Sequence, residues 1–186
     1  NSDTRKRVYD FIAENVRKGM QAYVVCPLVA ETEKSDLENA EELVNKLAKS
    51  YPDISFGLMH GKMKAKDKDE TMSDFVSGKI NVLVATTVIE VGVNVPNANV
   101  MAIENSERFG LSQLHQLRGR IGRGNEQAHC ILITDADNEI TKKRMDTMCK
   151  SNDGFYISEQ DLKLRGPGDF FGTRQHGLPE MKIANL

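Results

Sequence analysis

The residues with the clearest chemical potential lie in one short segment, residues 113–123, which reads QLHQLRGRIGR. At helical spacing, Gln116, Arg120 and Arg123 fall on one face. Residues 108–123 hold four arginines and no acid, a local charge of +4. Arginine forks bind phosphate oxygens, and a preset arginine stabilises the charge that develops on a transferring phosphoryl group. We therefore expect these arginines to face a phosphate, with a solvated arginine face as the alternative.

A second candidate is the segment TTVIEVGVNVP, residues 86–96, at the end of a strand-like run. The hydroxyl of Thr86 can bond a phosphate oxygen, and Asn94 can hydrogen-bond a sugar hydroxyl. Gly92 permits the backbone to turn close to a ligand. The alternative is a tight connection between two strands, punctuated by glycine and proline.

A third candidate lies near the end of the sequence, in RGPGDFFGTRQHG, residues 165–177. Its two adjacent aromatic residues could anchor a loop by burial. Arg165, Arg174 and Gln175 would then be free to contact a phosphate backbone. A structural tail packed on the sheet is the alternative.

Two glycine-rich stretches fall short of nucleotide-binding fingerprints. The stretch 57–63 has three residues between its glycines where a Walker A loop has four, and Met63 where Ser or Thr should hold Mg²⁺. The stretch 166–172 misses the dinucleotide spacing by one residue and follows a helix, so a metabolic nucleotide-binding enzyme is disfavoured. With neither a Walker A loop nor an acidic Walker B strand, this chain is not expected to hold and cleave a nucleotide unaided.

Composition narrows the class of protein further. The 186 residues include 25 basic and 27 acidic side chains, a net charge of −2, which argues against coating nucleic acid by bulk charge. No apolar run approaches the roughly 20 residues that span a bilayer, so we expect no membrane partner. Three cysteines without a C-x-x-C pair suggest small buried side chains in a reducing cytoplasm. The four histidines lack metal-ligand spacing, and we predict no metal site in this chain.

The elements that must position these residues alternate between two hydrophobic periods. Such alternation predicts an α/β fold with a parallel sheet between two helical layers, and ligands bind beyond the carboxyl ends of its strands. From about residue 152 the alternation stops, and we expect a capped helix over 158–164 and a glycine-rich loop. We therefore divide the chain into residues 1–135 and an appendage, 136–186, with a helical hairpin over about 138–164. The predicted strands are 22–28, 54–59, 82–87, 100–103 and 128–134, and the predicted helices are 4–18, 35–50 (with Ser35 as its cap), 64–77, 111–119 and 138–150.

In this order, the segments resemble the second motor domain of superfamily-two helicases, and specifically the RecG family of DNA helicases. Residues 86–96 resemble helicase motif V and residues 113–123 motif VI. A transcription-repair coupling factor shares much of the pattern, but the Gly-Thr-Arg-Gln sequence favours RecG. The other carriers are QAYVVCPL (21–28), His60-Gly61-x-Met63, DLKLRGPG (161–168) and GTRQ (172–175).

The resemblance implies a RecA-like domain that pairs with a first motor domain carrying Walker A and Walker B. ATP with Mg²⁺ would lie between the two domains, held mainly by the first. Arg120 and Arg123 match the motif VI arginines that reach the γ-phosphate, with Arg123 the arginine finger. Gln116 matches the polar first position of the motif. Gly92 and Asn94 match motif V positions near the nucleotide, although most relatives carry Asp at position 94.

For DNA, the resemblance implies that Thr86 contacts the nucleic-acid backbone. Arg165, Arg174 and Gln175 match a translocation motif that couples domain movement to the pulling of duplex DNA. The implied partners are branched DNA (forks and Holliday junctions), an N-terminal wedge domain and the first motor domain. The implied setting is recombination, repair and stalled-fork reversal at the nucleoid of a bacterial cytoplasm. The alternatives are a nucleic-acid-binding module without a motor role and a coupling-factor-like translocase.

Overall fold

The computed structural model describes residues 2–28, 33–86, 95–122, 124, 127–152 and 154–169. Strands alternate with helices along most of the chain, as the two hydrophobic periods predict. The strands are β1 (Gln21–Val25), β2 (Phe56–Met59), β3 (Val82–Ala85), β4 (Ala98–Ile103) and β5 (His129–Leu132). The helices are α1 (Ser2–Arg17), α2 (Glu33–Ser50), α3 (Ala65–Val76), α4 (Leu111–Arg118), α5 (Glu139–Lys150) and α6 (Gly154–Asp169), with a 3-10 turn at Ser106–Arg108.

The five strands form one parallel sheet in the order β2-β3-β1-β4-β5. The central strand is β1, whose Val24 pairs with Val84 of β3 on one side and Ala102 of β4 on the other. Because every neighbouring pair is parallel, the carboxyl ends of all five strands meet at one edge. Cys26, which follows β1, and Thr86, which follows β3, thus lie at the same edge.

Side chains of the sheet point alternately into two buried layers. Tyr23 and Val25 lie in one core with Phe75 of α3 and with α4, α5 and α6. Ala22 and Val24 lie in the other core, with α1 and α2. This arrangement confirms the predicted three-layer α/β fold. Within the described ranges, no helix is long and apolar enough to cross a bilayer.

The two helices after the last strand pack on the same core as the sheet. Met148 of α5 is 2% exposed and Ile157 of α6 is fully buried, both in the cluster that holds Leu114 of α4. The side-chain oxygen of Asn138 accepts a hydrogen bond of 2.8 Å from the backbone nitrogen of Thr141, which caps α5.

Several predicted boundaries are wrong, three of them with clear consequences. Helix α2 already includes Glu33, so Ser35 lies inside the helix and is not its cap; glutamate is a good helix former, which favours this earlier start. Strand β1 ends at Val25, before the Pro27 ring, which has no N–H for a sheet ladder. Helix α6 spans Gly154–Asp169, so it is longer than the predicted 158–164 and includes the stretch 166–168 that we expected to be a loop. Burial of Ile157 in the core that holds α4 and α5 fixes its earlier turns, a contact that the local pattern does not show.

Candidate functional site

A cleft of about 200 Å³ opens at the carboxyl edge of the sheet. Its floor is the end of β1 and the first residue after β3, and its wall is α4 with the turn before it. Among its lining residues, two arginines, two glutamines and one threonine supply polar groups. The lining residues are Val25, Cys26, Pro27, Leu28, Thr86, Arg108, Phe109, Gln113, Gln116, Leu117 and Arg120.

Thr86 is fixed by the strand that it follows. Its backbone nitrogen donates to the Met59 carbonyl of the neighbouring strand over 3.0 Å, and the residue is only 4% exposed. On the other side, the Cys26 nitrogen donates to the Ala85 carbonyl over 2.8 Å. The end of β3 is therefore held between two neighbours, and Thr86 lines the cleft from a rigid position.

Helix α4 presents the polar wall of the cleft. Leu114 and Leu117 are buried in the core, which turns Gln116 outward, where it is exposed and lines the cleft. The backbone nitrogen of Gly110 donates to Gln113 Oε1 over 3.0 Å, so that glutamine caps the start of the helix.

The helix ends at Arg118, so helical spacing does not extend to residue 120. A turn follows instead, in which the Arg120 nitrogen donates to the Leu117 carbonyl over 2.9 Å. This turn still leaves Arg120 on the cleft side of α4. The structure therefore brings together Thr86, Gln116 and Arg120 of the predicted site.

Arg118 does not face the cleft, and the expectation that all the arginines of 108–123 face a phosphate is wrong at this position. Its guanidinium donates to the carbonyls of Met148, through Nη1, and of Ser151, through Nη2 at 2.8 Å. Nη2 also lies 3.0 Å from His115 Nδ1. The last carbonyls of a helix have no partner within the helix. Arg118 therefore secures the end of α5 rather than binding a ligand.

The turn that carries Arg108 and Phe109 was missed as part of the site. Arg144 of α5 holds it by donating to the Glu107 carbonyl over 2.9 Å and to the Phe109 carbonyl. Asn105, just before the turn, has a φ of +46°, a left-handed conformation that asparagine tolerates. Only the arginine count of 108–123 pointed to Arg108, and no local pattern marks Arg144.

The partly buried thiols of Cys26 and Cys130 are unreactive near neutral pH. Burial raises the pKa of the Cys26 thiol to about 12 and that of Cys130 to about 11. Both side chains are therefore neutral thiols near pH 7 and poor nucleophiles. Cys26 lines the cleft as a small, partly buried side chain.

Beside the cleft, a charged cluster pins α1 to the end of β4. The Tyr9 hydroxyl donates to Glu104 Oε1, and Arg5 Nη2 donates to Glu104 Oε2 over 2.9 Å and to Asp135 Oδ2 over 3.0 Å. Burial holds the pKa of Tyr9 well above its usual range, so its hydroxyl stays a donor. The Arg5 guanidinium holds the pKa of the Asp135 carboxyl below its ordinary value. Because the polar groups of this cluster satisfy one another, we interpret it as structural.

The remaining predicted site residues lie outside what the structure describes. Arg165 belongs to the last turns of α6, but its side chain is outside the described part. Among the described residues, no group of three or more His, Cys, Asp or Glu side chains could hold a metal ion. The predicted site residues outside the described ranges are Gly92, Asn94, Arg123, Arg174 and Gln175.

Comparison with known proteins defines the class first. Residues 3–125 match the helicase conserved C-terminal domain, and the chain belongs to that family. Residues 151–186 match the C-terminal part of domain 3 of the ATP-dependent DNA helicase RecG.

The similarity to RecG covers nearly the whole chain, which confirms the resemblance predicted from the motifs. The chain is 50% identical to the ATP-dependent DNA helicase RecG of Bacillus subtilis over 99% of this chain and 27% of that protein. It is 48% identical to RecG of Thermotoga maritima, over 99% of this chain and 24% of that protein. A solved structure of RecG bound to a three-way DNA junction matches with a TM-score of 0.76 and 45% identity, over 95% of this chain and 22% of the other. The chain thus spans about a quarter of the length of these relatives.

Proposed function

We propose that this chain is the second motor domain of an ATP-dependent helicase that acts on branched DNA in recombination, repair and the reversal of stalled forks. The observation that carries the proposal is the convergence of Gln116 and Arg120 on one cleft at the carboxyl edge of the sheet. The names of the relatives, and the three-way junction in the related structure, support DNA as the partner. Bacterial relatives support a bacterial cytoplasm, at the nucleoid, as the setting.

The groups that line the cleft suit a nucleotide triphosphate. Arg108 and Arg120 supply guanidinium forks for phosphate oxygens, and Gln116 supplies an amide. No described lining residue is a carboxylate, the usual protein ligand of Mg²⁺. In this proposal the first motor domain of the same protein therefore holds most of the ATP and its Mg²⁺.

Each predicted residue then has a distinct role. Arg123 acts as the arginine finger that stabilises charge on the γ-phosphate, and Arg120 fixes the phosphate beside it. Gln116 lies at the edge of the same cleft, while Gly92 and Asn94 of the neighbouring segment complete the nucleotide side. Hydrolysis of the bound nucleotide supplies the free energy that moves one motor domain against the other.

On the DNA side, Thr86 contacts the backbone, and Arg165, Arg174 and Gln175 pull the duplex. We retain the division at 135/136 as a division of labour within one packed unit. The first part carries the nucleotide cleft, while α5 and α6 carry the translocation elements. Arg144 joins the two parts, because it ties α5 to the turn that lines the cleft.

The arginine finger is tested by Arg123→Ala in the full-length protein. We expect ATP hydrolysis to fall by about 10³-fold or more, since an arginine finger supplies roughly 10³–10⁵ in rate, while DNA binding stays nearly intact. Arg7→Ala, at an exposed position of α1, is the matched control for loss of one positive charge. Substantial ATPase activity in Arg123→Ala would contradict the assignment.

The translocation role is tested by Arg174→Ala and Gln175→Ala. Each variant should keep DNA-stimulated ATP hydrolysis and lose fork unwinding, because the motor then cycles without gripping the duplex. Hydrolysis and unwinding are measured on the same forked substrate. Parallel loss of both activities would point to a purely structural tail.

A further inference from the structure

The two glycines that flank Arg123 in the chain occupy places where a side chain does not fit. Gly122 has a φ of +81°, in the left-handed region that favours glycine. At Gly124, an added Cβ would lie 2.5 Å from the Pro96 carbonyl oxygen and 3.4 Å from its carbonyl carbon. Since both of these atoms belong to the backbone, neither can swing aside, and residue 124 lies directly against residue 96.

This contact joins the two segments that we propose for the nucleotide side. Pro96 ends the 86–96 segment, and its position is fixed by a turn in which the Ala98 nitrogen donates to the Val95 carbonyl over 3.0 Å. A second tie lies nearby, where Asn99 Nδ2 of β4 donates to the Gln127 carbonyl over 3.4 Å.

The segment that carries the arginines is therefore anchored on both sides. Before Arg123, Ile121 is 9% exposed and belongs to the core, and Arg120 lines the cleft. After Arg123, the backbone of Gly124 meets Pro96. Residue 124 is bonded directly to Arg123, the residue that we propose as the arginine finger.

We propose that Gly124 is a positioning residue for ATP hydrolysis. Its missing side chain lets the backbone of residue 124 lie against the Pro96 backbone, and this contact fixes the chain directly beside the proposed arginine finger, Arg123. This inference rests on the proposed function, since it assumes that Arg123 acts on the phosphate. A side chain at position 124 forces the backbone of that residue away from Pro96 and disturbs the proposed finger through the bond that joins them.

The test is Gly124→Ala in the full-length protein, with Gly119→Ala as the matched control. Gly119 lies in the same segment in a right-handed conformation, and an added Cβ there would meet only ordinary contacts, at 3.4 Å from the Gln116 carbonyl oxygen and 3.7 Å from that of His115. We expect Gly124→Ala to lower kcat by about tenfold to a hundredfold, because a displacement of roughly 1 Å in a catalytic group can have that effect. The KM for ATP and the affinity for DNA should match those of Gly119→Ala, since a finger acts in the transition state.

A double variant tests whether the loss of kcat comes from the contact between residues 124 and 96. Pro96→Gly frees the backbone that carries the opposing oxygen, so Pro96→Gly/Gly124→Ala should recover part of the kcat that Gly124→Ala loses. This comparison also decides the question if Gly124→Ala lowers the Tm. Further loss in the double variant, equal to the product of the two single effects, would overturn the inference.

The inference and the proposed function fail in different ways. If Gly124→Ala hydrolyses ATP as fast as Gly119→Ala while Arg123→Ala is inactive, Gly124 has no positioning role and the proposed function stands. If Arg123→Ala keeps its hydrolysis, the proposed function falls, and this inference falls with it.

Discussion

At the scale of single residues, Arg118 and Arg120 lie two positions apart but make different contacts. Arg120 follows the end of α4 and lines the cleft, whereas Arg118 turns to the other side and satisfies carbonyls at the end of α5. Identical side chains in one motif thus divide between a ligand site and a structural tie. The partner groups within reach, rather than residue type, make this distinction.

The structural role of Arg118 predicts the effect of Arg118→Met. Methionine keeps the apolar stem but cannot donate to the carbonyls of Met148 and Ser151. Since a hydrogen bond to a charged group contributes about 1.5–3 kcal/mol, we expect the Tm of this chain to fall by several degrees. Arg7→Met, at an exposed position of α1, is the control, and its Tm should change little. Equal Tm values for the two variants would show that the α5 carbonyls do not depend on Arg118.

At the scale of elements, α5 is fastened to the cleft wall at two points. Arg118 of α4 reaches the end of α5, and Arg144 of α5 reaches back to the turn at Glu107–Phe109. Together, Arg118 and Arg144 hold α5 and the turn that carries Arg108 as one packed unit.

The second tie predicts that Arg144→Met loosens the turn beside the cleft. The Glu107 and Phe109 carbonyls lose a charged donor, and Arg108 loses its fixed position. In the full-length protein we expect the KM for ATP to rise several-fold while the affinity for DNA is unchanged. Lys143→Met, at a neighbouring exposed position of α5, should leave the KM for ATP as it is. An unchanged KM in Arg144→Met would separate the turn from nucleotide binding.

Elements with strong periodicity could be predicted from the sequence, and those set by distant contacts could not. Helix α1 was predicted over 4–18 and spans Ser2–Arg17, with Gly19 at a φ of +93° just beyond it. By contrast, α6 begins at Gly154 rather than at residue 158, and its Ile157 is buried in the core with Leu114 of α4, a distant contact that the local sequence does not reveal.

The same distinction applies to the residues of the candidate site: those close together in the sequence could be predicted, and those that depend on distant contacts could not. Gln116 and Arg120 were found from a motif, because both lie within a few residues of one another. Arg144 was not found, because its contact with Phe109 spans 35 residues and leaves no mark on the local pattern. The contact of Arg118 with the carbonyls at the end of α5 could not be predicted either, since it depends on where α5 ends.

At the scale of the whole molecule, carboxyl groups paired with arginines give stability a pH dependence. The hydrogen bond from Arg5 lowers the pKa of Asp135 below its ordinary value of 3.8, and that from Arg17 does the same for Asp53. A carboxyl group with a lowered folded-state pKa stabilises the fold above its unfolded pKa and loses this effect as the pH falls through the folded value. We therefore expect the Tm to fall as the pH drops below about 4.

The variant Asp135→Asn isolates this contribution. It should lower the Tm at pH 7 and flatten the decline on the acid side, measured by thermal unfolding between pH 7 and pH 3. The exposed Asp69 of α3 offers the control Asp69→Asn, which should leave the acid-side slope unchanged. If Asp135→Asn keeps the slope of the unaltered chain, the pairing with Arg5 does not set the pH dependence.

This chain has its own hydrophobic core, but it supplies only one side of the proposed catalytic site. Its sheet is covered on both faces by its own helices, and its cleft offers arginines to a phosphate. The sequence contains no Walker A loop, however, and no described residue lining the cleft is a carboxylate. We therefore expect the 186-residue chain by itself to show no ATP hydrolysis, measured as phosphate release with and without forked DNA. Adding a separately purified first motor domain should produce hydrolysis, and should fail to do so when the 186-residue chain carries Arg123→Ala. If the chain alone hydrolyses ATP and its Arg123→Ala variant does so equally, the activity comes from a contaminant. If Arg123→Ala abolishes that activity, this chain holds a complete site.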